Sequence, residues 1–361
     1  FTTWVINHYR LLHVKINCLH LITGLGCGGA EKMIYQLCKN SDKEQFDISV
    51  VSIDKTDFFL PKLETLQIKV SKLGLNKNPF ILLKGLFLLN RFIRHNKIQI
   101  IHAHLFHGMV MACIVKILNP KVKILWTSHN STLDSDLRSV IAYCSRLFRS
   151  RDIILQSHLK SWYNTLAFSV IPNGLELPLQ SKVYSKFSIF TFISVGSLTK
   201  VKNHIFLINL FSKIDKLNFN LLIVGSGPEE KKIQDRINEL GLSTSIKLLG
   251  HRDDVFALMN KSHCFLLPSL WEGLPLAILE SAYAKLPIIA SSIISLQNLI
   301  SEDEGYVVPF NQFEKAIHSV IDDYVEAEEK ANRLYERAKN EFDILTCTRK
   351  HEQLYRSILD A

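Results

Sequence analysis

The 361-residue chain is 47% hydrophobic and 21% charged, carries a formal net charge of +9, and is long enough for two domains of ordinary size. That composition excludes a disordered or fibrous protein, and no run of 18 uninterrupted apolar residues marks a membrane span. Seven cysteines at 18, 27, 38, 113, 144, 264 and 347, without CxxC spacing, argue against a disulfide framework or structural zinc and for a reducing cytoplasm.

Short apolar runs bounded by Gly, Asn or Pro alternate with helical patterns along the whole chain. INCLHLIT, DISVVSI, IQIIHAH, KVKILWTS and DIILQS read as buried parallel strands. Asn78 to Lys97 reads as a helix. Its bases Lys84, Arg91, Arg94 and Lys97 suit a membrane-surface helix, but its apolar residues on more than one face suit a sheet-covering one better. A polar stretch near 173–188 reads as a linker. A second strand series follows: FTFISVG, NLLIVG, SIKLLG, HCFLLPS and LPIIAS. Ala327 to Ala338, rich in Glu and Lys, reads as exposed helix. The expected class is therefore α/β, with two doubly wound Rossmann-like domains facing across a cleft. Ligands of such sheets bind at the carboxyl ends of the strands. The chain begins at Phe1, so its native start is expected to lie upstream, and no leader pattern is visible there.

Charge is divided unevenly. Residues 1–175 hold 22 Lys/Arg and 10 Asp/Glu, a net of +12, against −3 for the remainder. A first domain of this kind suits anionic lipid headgroups or a diphosphate-linked acceptor. No helix-turn-helix, RNP or zinc-finger pattern supports nucleic acid as the partner.

Glu272 and Glu280 in SLWEGLPLAILESAYAKLPIIAS are separated by seven residues. Gly273 and Pro275 place the first in a turn before a helix and the second about two turns into it. The N–H groups of Leu276 and Ala277 at the helix mouth suit a diphosphate, and the two carboxylates suit sugar and ribose hydroxyls. This stretch resembles the E-x7-E signature of the GT4 glycosyltransferases, retaining enzymes of GT-B fold. GLGCGGAEKMIYQL, IQIIHAHLFHG, WTSHN, VIPNGLE, ISVGSLTKVKNHIFLI and LLIVGSGPEE resemble further family motifs in order, over residues 15 to 345.

The resemblance implies an acceptor domain at 1–175, a nucleotide-sugar domain at 176–340, and a final helix at 341–361 packing back on the first. It makes Glu272 and His129 the catalytic residues beside the reacting sugar, and Glu280 the ribose contact. Donor binding then falls to Lys202, Ser197, Gly273, Leu276, Ala277, Gly28, Gly29, Gly225 and Arg252, with Lys200 and His251 as neighbours. Acceptor binding falls to His104 and Asn130. Ser197 stands where the family frequently has Arg, which leaves Lys202 as the inherited cation for the diphosphate. The implied reaction moves a hexose or N-acetylhexosamine from a UDP-linked sugar to a saccharide acceptor, such as a lipid-linked one in surface polysaccharide synthesis. It needs no metal or other cofactor. The enzyme is expected in the cytoplasm, peripheral on the inner face of the membrane. A sugar-nucleotide epimerase or a catalytically silent sugar-nucleotide binder shares the architecture.

Three other readings compete locally. Gly24, Gly26 and Gly29 satisfy GxGxxG with Asp54 as a ribose acid, as in a nicotinamide-dependent enzyme, but that leaves the second domain unexplained. His102, His104 and His107 invite a metal site, without a nearby carboxylate or Cys. Asp134-Ser135-Asp136 is a chance D-x-D in a helix-forming stretch, and Cys27 in the glycine loop reads as a small filler.

Overall fold

The computed structural model describes residues 15–75, 79–133, 135–159, 165–177, 184–214 and 218–360. Asn78, Asp134 (and with it the D-x-D reading) and residues 178–183 of the anticipated linker lie outside them. Two compact units divide the described residues. The first comprises 15–129, 133–171 and 347–360; the second comprises 130–132 and 172–346. The sequence boundaries at 175 and 340 are thus replaced by 171 and 346.

The first unit is built on seven strands: β1 (Ile16–Ile22), β2 (Phe46–Ser52), β3 (Lys69–Lys72), β4 (Ile100–His104), β5 (Lys123–Thr127), β6 (Arg151–Ile154) and β7 (Phe168–Val170). They pair in the order β3-β2-β1-β4-β5-β6-β7, every pair parallel. Its helices are α1 (Gly29–Asn40), α2 (Leu60–Thr65), α3 (Pro79–His95), α4 (Leu105–Leu118) and α5 (Asp136–Ser145). The central strands are buried on both faces, which is why their sequences are continuous apolar runs. α4 lies so close to β1 that a Cβ on Gly108 would stand 2.6 Å from the Leu21 carbonyl oxygen. Beneath α5, the buried Arg149 forks onto Asp152 at 2.7 and 3.0 Å, donates to Ser145 Oγ, and lies over the Trp126 ring. Burial raises the Asp152 pKa, while the guanidinium opposes that shift.

The second unit carries β8 (Phe190–Val195), β9 (Phe219–Val224), β10 (Ile246–Leu248), β11 (Cys264–Leu267), β12 (Ile288–Ser291) and β13 (Tyr306–Val308), in the order β10-β9-β8-β11-β12-β13, again all parallel. Its helices are α6 (His204–Phe211), α7 (Glu230–Glu239), α8 (Val255–Lys261), α9 (Leu276–Tyr283), α10 (Ile294–Gln297), α11 (Phe313–Asp322) and α12 (Tyr324–Glu341). α12 is not simply an exposed charged helix. Ala327, Ala331, Leu334 and Ala338 form a buried stripe that packs on α9. Tyr283 of α9 donates its hydroxyl proton to the Phe342 carbonyl at 3.1 Å. The last helix, α13 (Ile344–Asp360), belongs to the first unit from Cys347 onward.

In the second unit the turns after β8 and β9 clasp one another. Gly196 N–H donates to Val224 O at 3.0 Å, Leu198 N–H to Ser226 O at 2.9 Å, and Glu229 N–H to Leu198 O at 2.9 Å. Gly225 has φ +145°, and a Cβ there would lie 1.9 Å from Gly196 O. Gly225→Ala should therefore destabilise the protein by about 2–4 kcal/mol, through backbone strain and overpacking together. Urea unfolding followed by circular dichroism measures it, and a loss below about 0.5 kcal/mol, the range of an ordinary surface substitution, would show the clasp to be dispensable.

Candidate functional site

The second unit brings Lys202 and Glu272 together from motifs 70 residues apart. β8 runs into a turn at Gly196–Leu198, then a 3-10 turn at Lys200–Lys202, and left-handed Asn203 (φ +54°) starts α6. Gly196 makes room for the lysine stem, since a Cβ there would stand 3.1–3.4 Å from Lys202 Cε, Cδ and Cγ. Lys202 Nζ meets Glu272 Oε1 at 2.5 Å, with side chains only 16% and 11% exposed. Ser269 Oγ donates to the same oxygen at 2.6 Å, and Ser291 Oγ donates to Ser269 O at 2.5 Å. Leu270 N–H donates to Val201 O at 2.8 Å, which ties the loop after β11 to the turn that carries Lys202. Buried Asn173 donates to Leu274 O at 2.9 Å and so holds the other end of the Glu272 loop.

Pro275 caps α9 rather than opening its first turn, and Glu280 is the fifth residue of α9, so it sits little more than one turn in, not two. Leu276 and Ala277 are the first two residues of that helix. Gly273 is buried in the loop before it. Ser197 and Lys200 are exposed beside Lys202. Arg252 donates from Nε and Nη2 to the two carboxylate oxygens of Asp254, each at 2.8 Å, and His251 precedes it in the chain. Ser269, Asn173 and His204 were missed in the sequence. His204 is buried directly after the Lys202 turn with Nδ1 unpartnered, and burial, then the Lys202 charge, lowers its pKa to about 4.

In the first unit Gly28 caps α1 and Gly29 opens it. A Cβ on Gly28 would meet Glu31 Oε2 at 2.5 Å, so the glycine leaves room for that carboxylate, whose pKa burial raises. Gly24 packs against Asp54 and Thr56. Asp54 Oδ1 accepts from Thr56 N–H at 2.9 Å and from its hydroxyl at 2.6 Å. That carboxylate oxygen closes its own turn, which disfavours Asp54 as a ribose ligand. Cys27, read as a small filler of the glycine loop, is exposed there.

Around the carboxyl ends of β1, β4 and β5 lies a histidine cluster. His104 bonds His20 Nδ1 through Nε2 at 2.8 Å and His129 Nε2 through Nδ1 at 2.9 Å. His102 bonds Tyr355 OH at 2.7 Å and Thr127 Oγ1 at 2.9 Å, and stacks on His351 of α13 at 5.6 Å between centroids. His129, with φ +66°, is the partly exposed end of this chain, and Asn130 beyond it is exposed. His107 is also exposed, and among the described residues it is His20, His102 and His104 whose ligand atoms lie within 4.8 Å of one another. The nitrogens of His102 and His104 are all engaged in these hydrogen bonds, whereas His20 Nε2 is buried without a partner. Burial keeps the cluster neutral: it lowers His20 and His129 to about 3 and His351 to about 4, and holds His102 and His104 well below the usual range. With one proton per neutral imidazole and one per link, the tautomers of His20, His104 and His129 are coupled.

Two family models match this architecture. The model described as Glycosyltransferase Family 4 covers residues 27–177, and the one described as Glycosyl transferases group 1 covers 186–341. The chain belongs to the GT4 glycosyltransferases. Among relatives of this GT4 chain, an uncharacterised glycosyltransferase of Methanocaldococcus jannaschii is 30% identical over 59% of the chain, which spans 60% of that protein. The UDP-Gal:alpha-D-GlcNAc-diphosphoundecaprenol alpha-1,3-galactosyltransferase of Escherichia coli is 26% identical over 86% of the chain and 88% of its own length. Anabaena HepE, solved with UDP and glucose, superposes with a TM-score of 0.82 over 95% of this chain and 100% of its own, at 18% identity. The GT-B fold is thus shared.

The neutral histidines set a pH dependence of stability. Their folded pKa values lie below the unfolded value of about 6.5, so the unfolded chain binds protons first as pH falls. Their contribution is complete above about pH 6.5 and declines towards pH 3–4. The melting temperature of the GT4 chain should drop between pH 7 and 5, a range above most carboxylate titrations. A flat profile there would contradict a neutral, buried cluster.

Proposed function

We propose that this GT4 chain is a retaining, metal-independent transferase that moves a hexose or N-acetylhexosamine from a UDP-linked sugar to a lipid-linked saccharide during surface polysaccharide synthesis. The observation that carries the donor half is the Lys202–Glu272–Ser269 contact, a cation and a carboxylate held together at the carboxyl ends of parallel strands. The named activity of the E. coli relative supports UDP as carrier and a diphosphoundecaprenol-linked acceptor. A Campylobacter jejuni relative, 25% identical over 78% of the chain, is named as a diphospho-undecaprenol N-acetylgalactosaminyltransferase.

In this reading the bond from the anomeric carbon to the diphosphate oxygen breaks, and the acceptor hydroxyl forms its bond to the same face. The acceptor proton leaves with the diphosphate. Negative charge grows on the leaving group, and Lys202, with Ser197 and the N–H groups of Leu276 and Ala277, is the chain's own means of meeting it. Arg252, committed to Asp254, is in this reading a neighbour of the nucleotide base. Glu272 takes a hydroxyl of the transferred sugar, and Glu280 takes the ribose. His129, neutral and tautomerically coupled to His104, offers a hydrogen bond to the sugar or the departing oxygen, while His104 and Asn130 serve the acceptor.

Glu272→Ala should lower turnover by at least about a hundredfold while folding survives. Release of UDP from UDP-sugars, followed with and without lipid extract, measures it, and a wild-type rate removes Glu272 from the mechanism. Acceptor-dependent release supports a transferase; sugar interconversion without acceptor would instead mark an epimerase, and binding without turnover a silent binder. Glu280→Ala should weaken UDP binding in a calorimetric titration, with unchanged affinity counting against the ribose contact. Activity should persist in a chelator, and its strict loss would overturn metal independence.

A further inference from the structure

Among the described residues, ten of the eighteen exposed large apolar side chains fall between 83 and 148, on three consecutive helices and the turn after them. Single exposed leucines are ordinary, but such a concentration marks an interaction surface. α3 packs on α4, and α4 on α5. On α3, Leu89 and Ile93 are buried, so this helix covers the sheet, yet Leu83 and Phe87 on its outer side are 66% and 65% exposed. Ile117 of α4 is 67% exposed.

α5 presents the sharpest case. Ala142 and Ser145 face inward, whereas Leu137, Val140 and Leu147 are 68%, 57% and 78% exposed. Leu137 and Val140, three residues apart, share one face of α5, and Leu147 stands in the 3-10 turn that follows the helix. Basic side chains border it. Arg138 is half-buried with its guanidinium over Phe106, Arg146 lies 3.7 Å over the Tyr143 ring, and Arg94 reaches Leu118 O at 3.3 Å. Residues 79–150 hold ten Lys/Arg against two Asp/Glu, a net of +8 in a chain of net +9.

We propose that the outer side of α3, α4 and α5, with the turn at Arg146–Phe148, docks on an anionic lipid surface, its leucines entering the headgroup boundary and its arginines meeting lipid phosphate. Apolar side chains ringed by bases, with almost no acid, match that partner in both polarity and charge. No helix among the described residues is long and apolar enough to cross a membrane. The inference deepens the lipid-linked acceptor reading by naming the surface, but it rests on none of the sugar chemistry.

Vesicle flotation tests it with the full chain. Vesicles of phosphatidylglycerol mixed with phosphatidylcholine should carry the protein, pure phosphatidylcholine should carry at least about fivefold less, and 0.5 M salt should release most of it. The double variant Leu137→Glu/Leu147→Glu should lose at least about tenfold in binding while its circular dichroism and melting temperature stay unchanged. No binding to the anionic vesicles, or binding that the double variant leaves intact, would overturn the proposal. So would a concentration-dependent dimer in light scattering that the same substitutions abolish, because the face would then be covered by a second copy. UDP titration of the double variant separates the two readings. Vesicle binding lost with UDP binding kept is expected here; vesicle binding without any affinity for UDP sinks the donor reading alone.

Discussion

The contact between Lys202 and Glu272 is the constraint on which the second unit's site depends. Two charges with little exposure are stable only when paired and further hydrogen-bonded, and here the pair is supplemented by Ser269 and braced by Ser291. The pair cannot form unless the loop after β11 lies against the turn after β8, a relation fixed by the Leu270–Val201 backbone bond. That turn in turn needs two positions without side chains, Gly196 for the lysine stem and Gly225 for the neighbouring backbone. Each element is therefore placed by steric demands that reach back into the sheet.

The first unit follows a different rule. Its strand ends gather imidazoles instead of ions, and burial removes their charge, so hydrogen-bond direction becomes the variable that neighbours control. Tyr355 and His351 of α13 complete this arrangement from a distant part of the chain. A polar cluster of this kind contributes geometry at His129, whose left-handed backbone already points to a position shaped for something other than packing.

Much of this was legible in the sequence because parallel strands buried on both faces leave uninterrupted apolar runs. INCLHLIT and IQIIHAH are such runs, and so are FTFISVG and HCFLLPS. The edge strands β3, β7 and β13 are not legible in the sequence, since KVSK, FSV and YVV are short and partly exposed, and carry no such signal. Lys202 and Glu272 each stood out by motif, but their mutual contact has no local signature. His20 was invisible for the same reason: a lone histidine on an apolar strand is indistinguishable from a core residue until register sets it against His102. Glu280 lies a turn nearer the helix start than its spacing from Glu272 suggests, because Gly273 and Pro275 delay that start to Leu276. The charged stretch of α12 concealed its alanine stripe, as small residues at helical spacing weigh little in composition.

The membership of residues from Cys347 onward in the first unit has a consequence for biosynthesis. A ribosome delivers the strands of that unit early, then the whole second sheet, and only afterwards the segment that lays Tyr355 and His351 against His102. The early-made portion must wait, with its imidazole cluster uncovered, until the whole second unit has been made. Its closure thereby follows the synthesis of the second unit, and the helper proteins that shield half-finished domains have the whole length of that unit in which to act.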